Sequence, residues 1–173
     1  MARPRPPVYR AKGRYRLHIG DDELALIRRL LDELRDLLLA DNDGGGNDGG
    51  GNDGSGPASA MLTRLFPVAH PDDAELEAEY QRLMRVELVA SKLKAIESVE
   101  TVIDASRAPI DEAQLTAFMQ SINSIRLVLG TLLDVTDDPD AEVVSEHDDT
   151  AEYQLYGYLS WLLEWTVRAF SGE

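Results

Sequence analysis

The sequence contains no cysteine. That single absence excludes disulfides, thiolate nucleophiles, Cys-ligated zinc and thiol redox switching together. Long apolar runs are missing as well. No stretch approaches the ~20 apolar residues that span a bilayer, and the N-terminal MARPRPPVYR lacks the apolar centre of a secretory signal, so a cytoplasmic location without membrane association is expected. Histidine is scarce: His18, His70 and His147 lie in separate segments. None stands in an E-x-x-H or H-x-x-x-H spacing, which disfavours a di-iron bundle or a zincin, since both need ligands one helical turn apart. The phosphate-binding G-x-x-x-x-G-K-[ST], the dinucleotide-binding G-x-G-x-x-G and the nucleophile turn G-x-S-x-G are all absent. No catalytic residue, metal or cofactor is expected, and the chain reads as non-enzymatic.

What the chain has in excess is acid. Its 32 acidic residues outweigh 17 basic ones, for a net charge of -15. The distribution is uneven: the first twenty residues carry Arg3, Arg5, Arg10, Lys12, Arg14 and Arg16 and no acid. An acidic body repels nucleic acid, and a short basic end is a small footprint for specific DNA binding, so a protein partner is favoured over direct nucleic-acid contact. With 43% hydrophobic residues over 173 positions, one domain with a real core is expected across 1–173.

Polar and apolar residues alternate from 8 to 19, with Ala11, Lys12 and Gly13 as a turn, which predicts a β-hairpin with one apolar and one basic face. A lone hairpin is marginal in water, so it must lie on the helices, and its edge offers a strand to a second subunit in a homodimer. Residues 21 to 40 then show Leu24, Ile27, Leu31, Leu34 and Leu38 at steps of three and four, a helix whose stripe is widened by Leu26, Leu30 and Leu37. The segment NDGGGNDGGGNDGSG marks 41–58 as a flexible Gly/Asn/Asp linker. Its period of five fits neither the EF-hand loop nor the nine-residue β-roll, so calcium is not expected there.

A short helical turn ends at Pro67, and Asp72 and Asp73 suit the start of a long helix reaching about residue 105, with Leu76, Tyr80, Leu83, Val86, Val89, Leu93, Ile96, Val99 and Ile103 on its apolar side. Arg107, Ala108 and Pro109 break it. Asp111 and Gln114 form a capping box for a helix to about 133. An acidic loop follows over 136–149, and Thr150 caps a last helix that is apolar on most sides, suited to the centre of the bundle or to a partner. Its Tyr156, Trp161 and Trp165, with Arg10, Arg14 and Arg16 of the hairpin, are the candidate partner-binding residues. The expected fold is mainly α: an irregular bundle of about four long helices with an N-terminal β-hairpin.

The most informative stretch is SINSIRLVLGTLLDV, residues 121–135. At about 100° per residue, Asn123, Gly130 and Asp134 fall in one lane flanked by Arg126, beside a buried stripe of Phe118, Ile122, Ile125, Leu129 and Leu132. Glycine inside a helix costs about 1 kcal/mol against alanine, so Gly130 implies close approach of a backbone or a large side chain. Asn123, Arg126, Gly130 and Asp134 are therefore read as a structural seam.

GRYRLHIGDDELALIRRLLDEL, the LFP of residues 65–67, HPDDAELEAEYQRL, INSIRLVLGT and the terminal YGYLSWLLEW resemble an actinobacterial domain-of-unknown-function family that includes the oxidative-stress transcriptional regulator AosR. The resemblance covers most of the chain outside the linker and the acidic loop, and INSIRLVLGT is its most specific part. It implies a non-enzymatic stress-response regulator that contacts a sigma factor or RNA polymerase component. The family's association with the ClpS adaptor leaves an alternative, a helical adaptor or scaffold in Clp-dependent protein turnover. Cysteine-based redox sensing does not carry over to a chain without cysteine.

Overall fold

The computed structural model describes residues 6–43, 57–105, 107–135 and 150–172. The acidic loop expected over 136–149, His147 within it, Arg3 and Arg5, and the linker apart from its two ends lie outside the described residues. The elements run β1 (Val8–Ala11), β2 (Arg14–Leu17), α1 (Asp21–Asp43), α2 (Pro57–Leu62), a 3-10 turn (Thr63–Leu65), α3 (Ala74–Asp104), α4 (Glu112–Leu132) and α5 (Ala151–Ser171). This is the expected mainly α bundle, four of its helices long, with an N-terminal hairpin. The helices α1 and α2 take residues 41–43 and 57–58 from the two ends of the expected linker.

The helix starts follow from local chemistry. The carboxylate of Asp73 accepts from the N–H groups of Glu75 and Leu76 at 3.1 and 3.0 Å, and Thr150 Oγ1 accepts from Tyr153 N–H at 3.4 Å. Asp111 and Gln114 make the reciprocal capping box, with Gln114 N–H donating to Asp111 and Asp111 N–H donating to the Gln114 side chain. Each such cap supplies acceptors to N–H groups that the helix itself leaves unpaired.

The hairpin turns on two residues, Lys12 and Gly13, both in the left-handed region with φ of 52° and 77°. That is the primed turn whose twist matches the strands. Register pairs Val8 with Leu17, Tyr9 with Arg16, Arg10 with Tyr15 and Ala11 with Arg14. Paired residues share a face, so the apolar parity changes at the turn. One face holds Val8, Tyr15 and Leu17 together with Arg10; the other holds Tyr9, Ala11, Arg14 and Arg16. The expected split into a wholly apolar and a wholly basic face is corrected accordingly: a two-residue turn reverses the alternation that a three-residue turn preserves. Val8 and Tyr15 are buried against the helices, and Tyr15 exchanges both backbone hydrogen bonds with Ile110 at 3.0 and 2.9 Å, which closes the β2 edge.

One cluster of buried side chains joins the helices, including Ile27, Leu31 and Leu38 of α1, Ile96 and Val99 of α3, Phe118 and Ile122 of α4, and Leu159 and Leu162 of α5. Burying each stabilises by about 1.5–3 kcal/mol before conformational entropy is charged. The centre of the bundle is α4, which packs on α1, α2, α3, α5 and β2, whereas α5 packs on α4 and β1. The apolar surround of α5 is thus only partly used, and Trp161, Val167 and Phe170 are exposed. The helix α3 is likewise divided: Val89, Ile96, Val99 and Val102 are buried, but Leu76, Leu83 and Val86 of its expected apolar side are exposed. Ion pairs tie α3 to α1, among them Arg35 with Glu100 at 2.6 Å and Arg85 with Asp41 at 2.7 Å.

Candidate functional site

The seam residues meet on the side of α4 that faces α5. The Arg126 guanidinium donates from Nη1 to the Tyr156 hydroxyl at 2.9 Å and from Nη2 to Asn123 Oδ1 at 3.4 Å, with its carbon 5.6 Å from the centre of the Tyr156 ring. Its Nε is buried with no hydrogen-bond partner. Gly130 is buried. A Cβ there would stand 3.1 Å from Tyr156 Cε2 and 3.2 Å from Arg64 Nη1. The close approach required by the glycine is therefore made by two side chains, one from α5 and one from the 3-10 turn.

Asp134 departs from the lane. The helix ends at Leu132, and Asp134 follows it in left-handed backbone with φ of 52°, exposed. Asp134 N–H donates to Thr131 O at 3.3 Å and Val135 N–H to Gly130 O at 2.9 Å, the paired bonds of a Schellman ending. An aspartate tolerates the left-handed region better than most side chains, which is its role here. Leu132 is exposed at 56%, outside the buried stripe in which the helical repeat put it, and Leu129 is only half-buried. Beyond the expected residues, Arg64 Nη2 donates to Val135 O, and the Tyr153 hydroxyl donates to Leu133 O at 3.2 Å. A cation at the carbonyl end of α4 also matches the helix dipole. Arg64 lies 71 positions from Val135, and nothing local in the sequence announces that pairing.

The candidate partner residues are dispersed. Tyr156 closes the seam from α5 and is half-buried. Trp161 is 45% exposed and stacks at a tilt on Tyr158, ring centroids 6.0 Å apart. Trp165 lies under Arg168, 5.3 Å away, beside a cleft of about 300 Å³ shared with Val8, Arg10 and Ala169. Arg10 covers the Tyr15 ring at 5.8 Å, while on the opposite hairpin face Arg14 reaches Asp111 at 3.9 Å and Arg16 donates to Arg107 O at 3.5 Å. The phenol of Tyr158 is pushed well above its ordinary range, first by burial and then by the Glu23 carboxylate to which it is hydrogen-bonded.

Among the described residues, no group of three or more His, Asp or Glu side chains could hold a metal ion, and no helix is long and apolar enough to cross a membrane. The arrangement of Asn123, Arg126, Tyr156, Gly130 and Arg64 is one of packing and capping: each polar group named holds another part of the chain.

The family described as Domain of unknown function (DUF2017) matches residues 2–170. The chain is 24% identical over 183 residues to the oxidative stress regulator AosR of Mycobacterium bovis and to that of Mycobacterium tuberculosis H37Rv, covering 92% of this chain and 84% of each relative. A Mycobacterium leprae relative is 26% identical over 179 residues, 90% of this chain and 82% of its own. No solved structure matches the chain.

Proposed function

Because the chain belongs to the DUF2017 family, we propose that it is a regulator of the oxidative-stress response that acts by protein–protein contact with the transcription machinery, through a sigma factor or an RNA polymerase component. The observation that carries this reading is the nearly end-to-end match to relatives named oxidative stress regulator. The net charge of -15 supports a protein partner over nucleic acid. The contact surface is the outer flank of α5 around Trp161 together with the Arg14 and Arg16 face of the hairpin, since the first offers a half-exposed aromatic anchor and the second a local excess of positive charge. With no cysteine in the sequence, the oxidant signal reaches this protein through its partner and not through a thiol of its own.

Native co-purification with the full chain as bait tests the reading. A sigma factor or RNA polymerase subunits are expected in stoichiometric amount, reduced about tenfold or more by Trp161→Ala combined with Arg14→Glu and Arg16→Glu. Recovery of a Clp component in place of both refutes the transcriptional reading and installs the turnover adaptor.

A further inference from the structure

A second cavity lies beside the seam, among α1, the 3-10 turn, α3 and α4, with a volume of about 220 Å³. Its lining is unusual for so acidic a chain. It contains Arg64 and Lys92, the hydroxyls of Ser91, Ser121 and Ser124, and no carboxylate. Ser121 is 2% exposed and its Oγ is buried without a hydrogen-bond partner, although most buried hydroxyls are satisfied. Among the described residues, no carboxylate stands within ion-pair distance of Arg64 or Lys92, whereas Arg28, Arg35 and Arg85, which tie α1 to α3, each have one. Lys92 lies half-buried, its ammonium 6.0 Å from the centre of the Phe66 ring, and desolvation holds its pKa below the ordinary lysine value. A cation in that position lacks the counter-charge that burial calls for.

We propose that this cavity binds a small molecule carrying an oxyanion group, a carboxylate or a phosphate. The charge sits beside Lys92, in the positive field of Arg64, and Ser121 and Ser124 donate their hydroxyls to its oxygens. Arg64 lines the cavity while its guanidinium is held at the end of α4, Nη2 serving Val135 O and Nη1 lying against Gly130, so it contributes positive field and not a free fork of donors. Asn123 lines the same cavity and accepts from Arg126, which connects the ligand to the α5 seam through one side chain. The volume accommodates about seven water-sized groups, taking ~30 Å³ for each, so the ligand is of metabolite size and smaller than a nucleotide. The apolar walls, Leu34 and Leu127 among them, face its carbon skeleton. This site stands independently of the identity of the protein partner.

The test is thermal melting and calorimetry of the full chain with sodium phosphate and, separately, sodium acetate, each against sodium chloride at equal ionic strength. At least one oxyanion is expected to raise the melting temperature saturably by about 2–4 °C beyond chloride. Phosphate acting alone assigns a phosphate head group, and acetate acting alone assigns a carboxylate. Lys92→Met, which keeps the stem and removes the charge, is expected to abolish the increment while leaving helical circular dichroism unchanged. Ser121→Ala, which leaves the fold intact whatever becomes of Lys92, is expected to weaken binding about fivefold. No effect of either anion beyond chloride up to about 50 mM, a range that captures fragment-scale affinities, overturns the proposal. So does an effect that neither substitution alters.

Discussion

Gly130 is where α4 gives up about 1 kcal/mol of helix propensity so that Tyr156 and Arg64 can rest on its backbone. A methyl group there meets contacts of 3.1 and 3.2 Å, tight enough to shift the guanidinium but within its reach to yield. Gly130→Ala is therefore expected to stay within about 1 kcal/mol of the parent, gained propensity offsetting crowding, while Gly130→Leu costs about 2–3 kcal/mol. Chemical denaturation reads both; a leucine variant as stable as the parent means that the ring and the guanidinium do not hold their places. Tyr156→Phe removes the hydroxyl that Arg126 donates to and is expected to cost about 1 kcal/mol. In a double-mutant cycle with Arg126→Met the two changes should be non-additive by a similar amount, about 1 kcal/mol. Simple additivity removes the bond from the energetics. The need for close approach at Gly130 was legible in the sequence, since a glycine in mid-helix sacrifices stability that a neighbour against the backbone can repay. The occupants were not legible, because periodicity assigns a residue to a face and says nothing about which distant segment covers that face.

Caps and turns, which are local, were legible; the register of strands was legible only up to the length of the turn. Asp73, Asp111 and Thr150 stand where the side-chain pattern puts them. The hairpin was visible too, but whether its turn takes two residues or three decides which arginines share a face, and the alternation alone is silent on that. Lys12 occupies the first of two left-handed positions, φ 52°, where asparagine is favoured over lysine. Lys12→Asn is accordingly expected to stabilise by about 0.5 kcal/mol, readable as a higher denaturation midpoint. The start of α3 carries a pH dependence. Glu77 accepts from the Gln81 side chain at 2.6 Å and from the N–H groups of His70 and Ala69 at 2.7 and 2.9 Å. These bonds, Gln81 first, hold its pKa below the usual glutamate value of 4.5 against the opposing effect of desolvation. A carboxylate lowered in the folded state contributes stability above its unfolded pKa and loses it as pH falls through the folded one. The amide signals of Ala69 and His70 should therefore move together below about pH 4.5 in the parent and show no such step in Glu77→Gln. Independent movement of the two amides denies the clamp.

At the scale of the molecule, charge and connectivity govern. A body of net charge -15 repels itself when compact, and its exposed ion pairs contribute little in return. Raising sodium chloride from about 20 mM to about 500 mM is expected to raise the melting temperature, since screening relieves repulsion more than it weakens surface pairs; a fall would mean that the pairs between α1 and α3 dominate. Which helix occupies the centre was not legible. The α5 sequence is apolar on most sides and suits either the centre or a partner, whereas α4, with serines and a glycine among its apolar residues, is the helix packed on most of the other elements, because small side chains let them come close. The hairpin has no independent mate: β1 lies on α5 and β2 bridges to Ile110. Synthesis runs in the other order. The strands are made before any helix, and the surface that receives β1 is translated last of these elements, so the earliest part of the fold is kept waiting on the ribosome until the latest part arrives. Assembly of this fold is thereby closed by a meeting of its first and last described elements, and a nascent chain lacking α5 holds a hairpin anchored by β2 alone, its β1 strand uncovered.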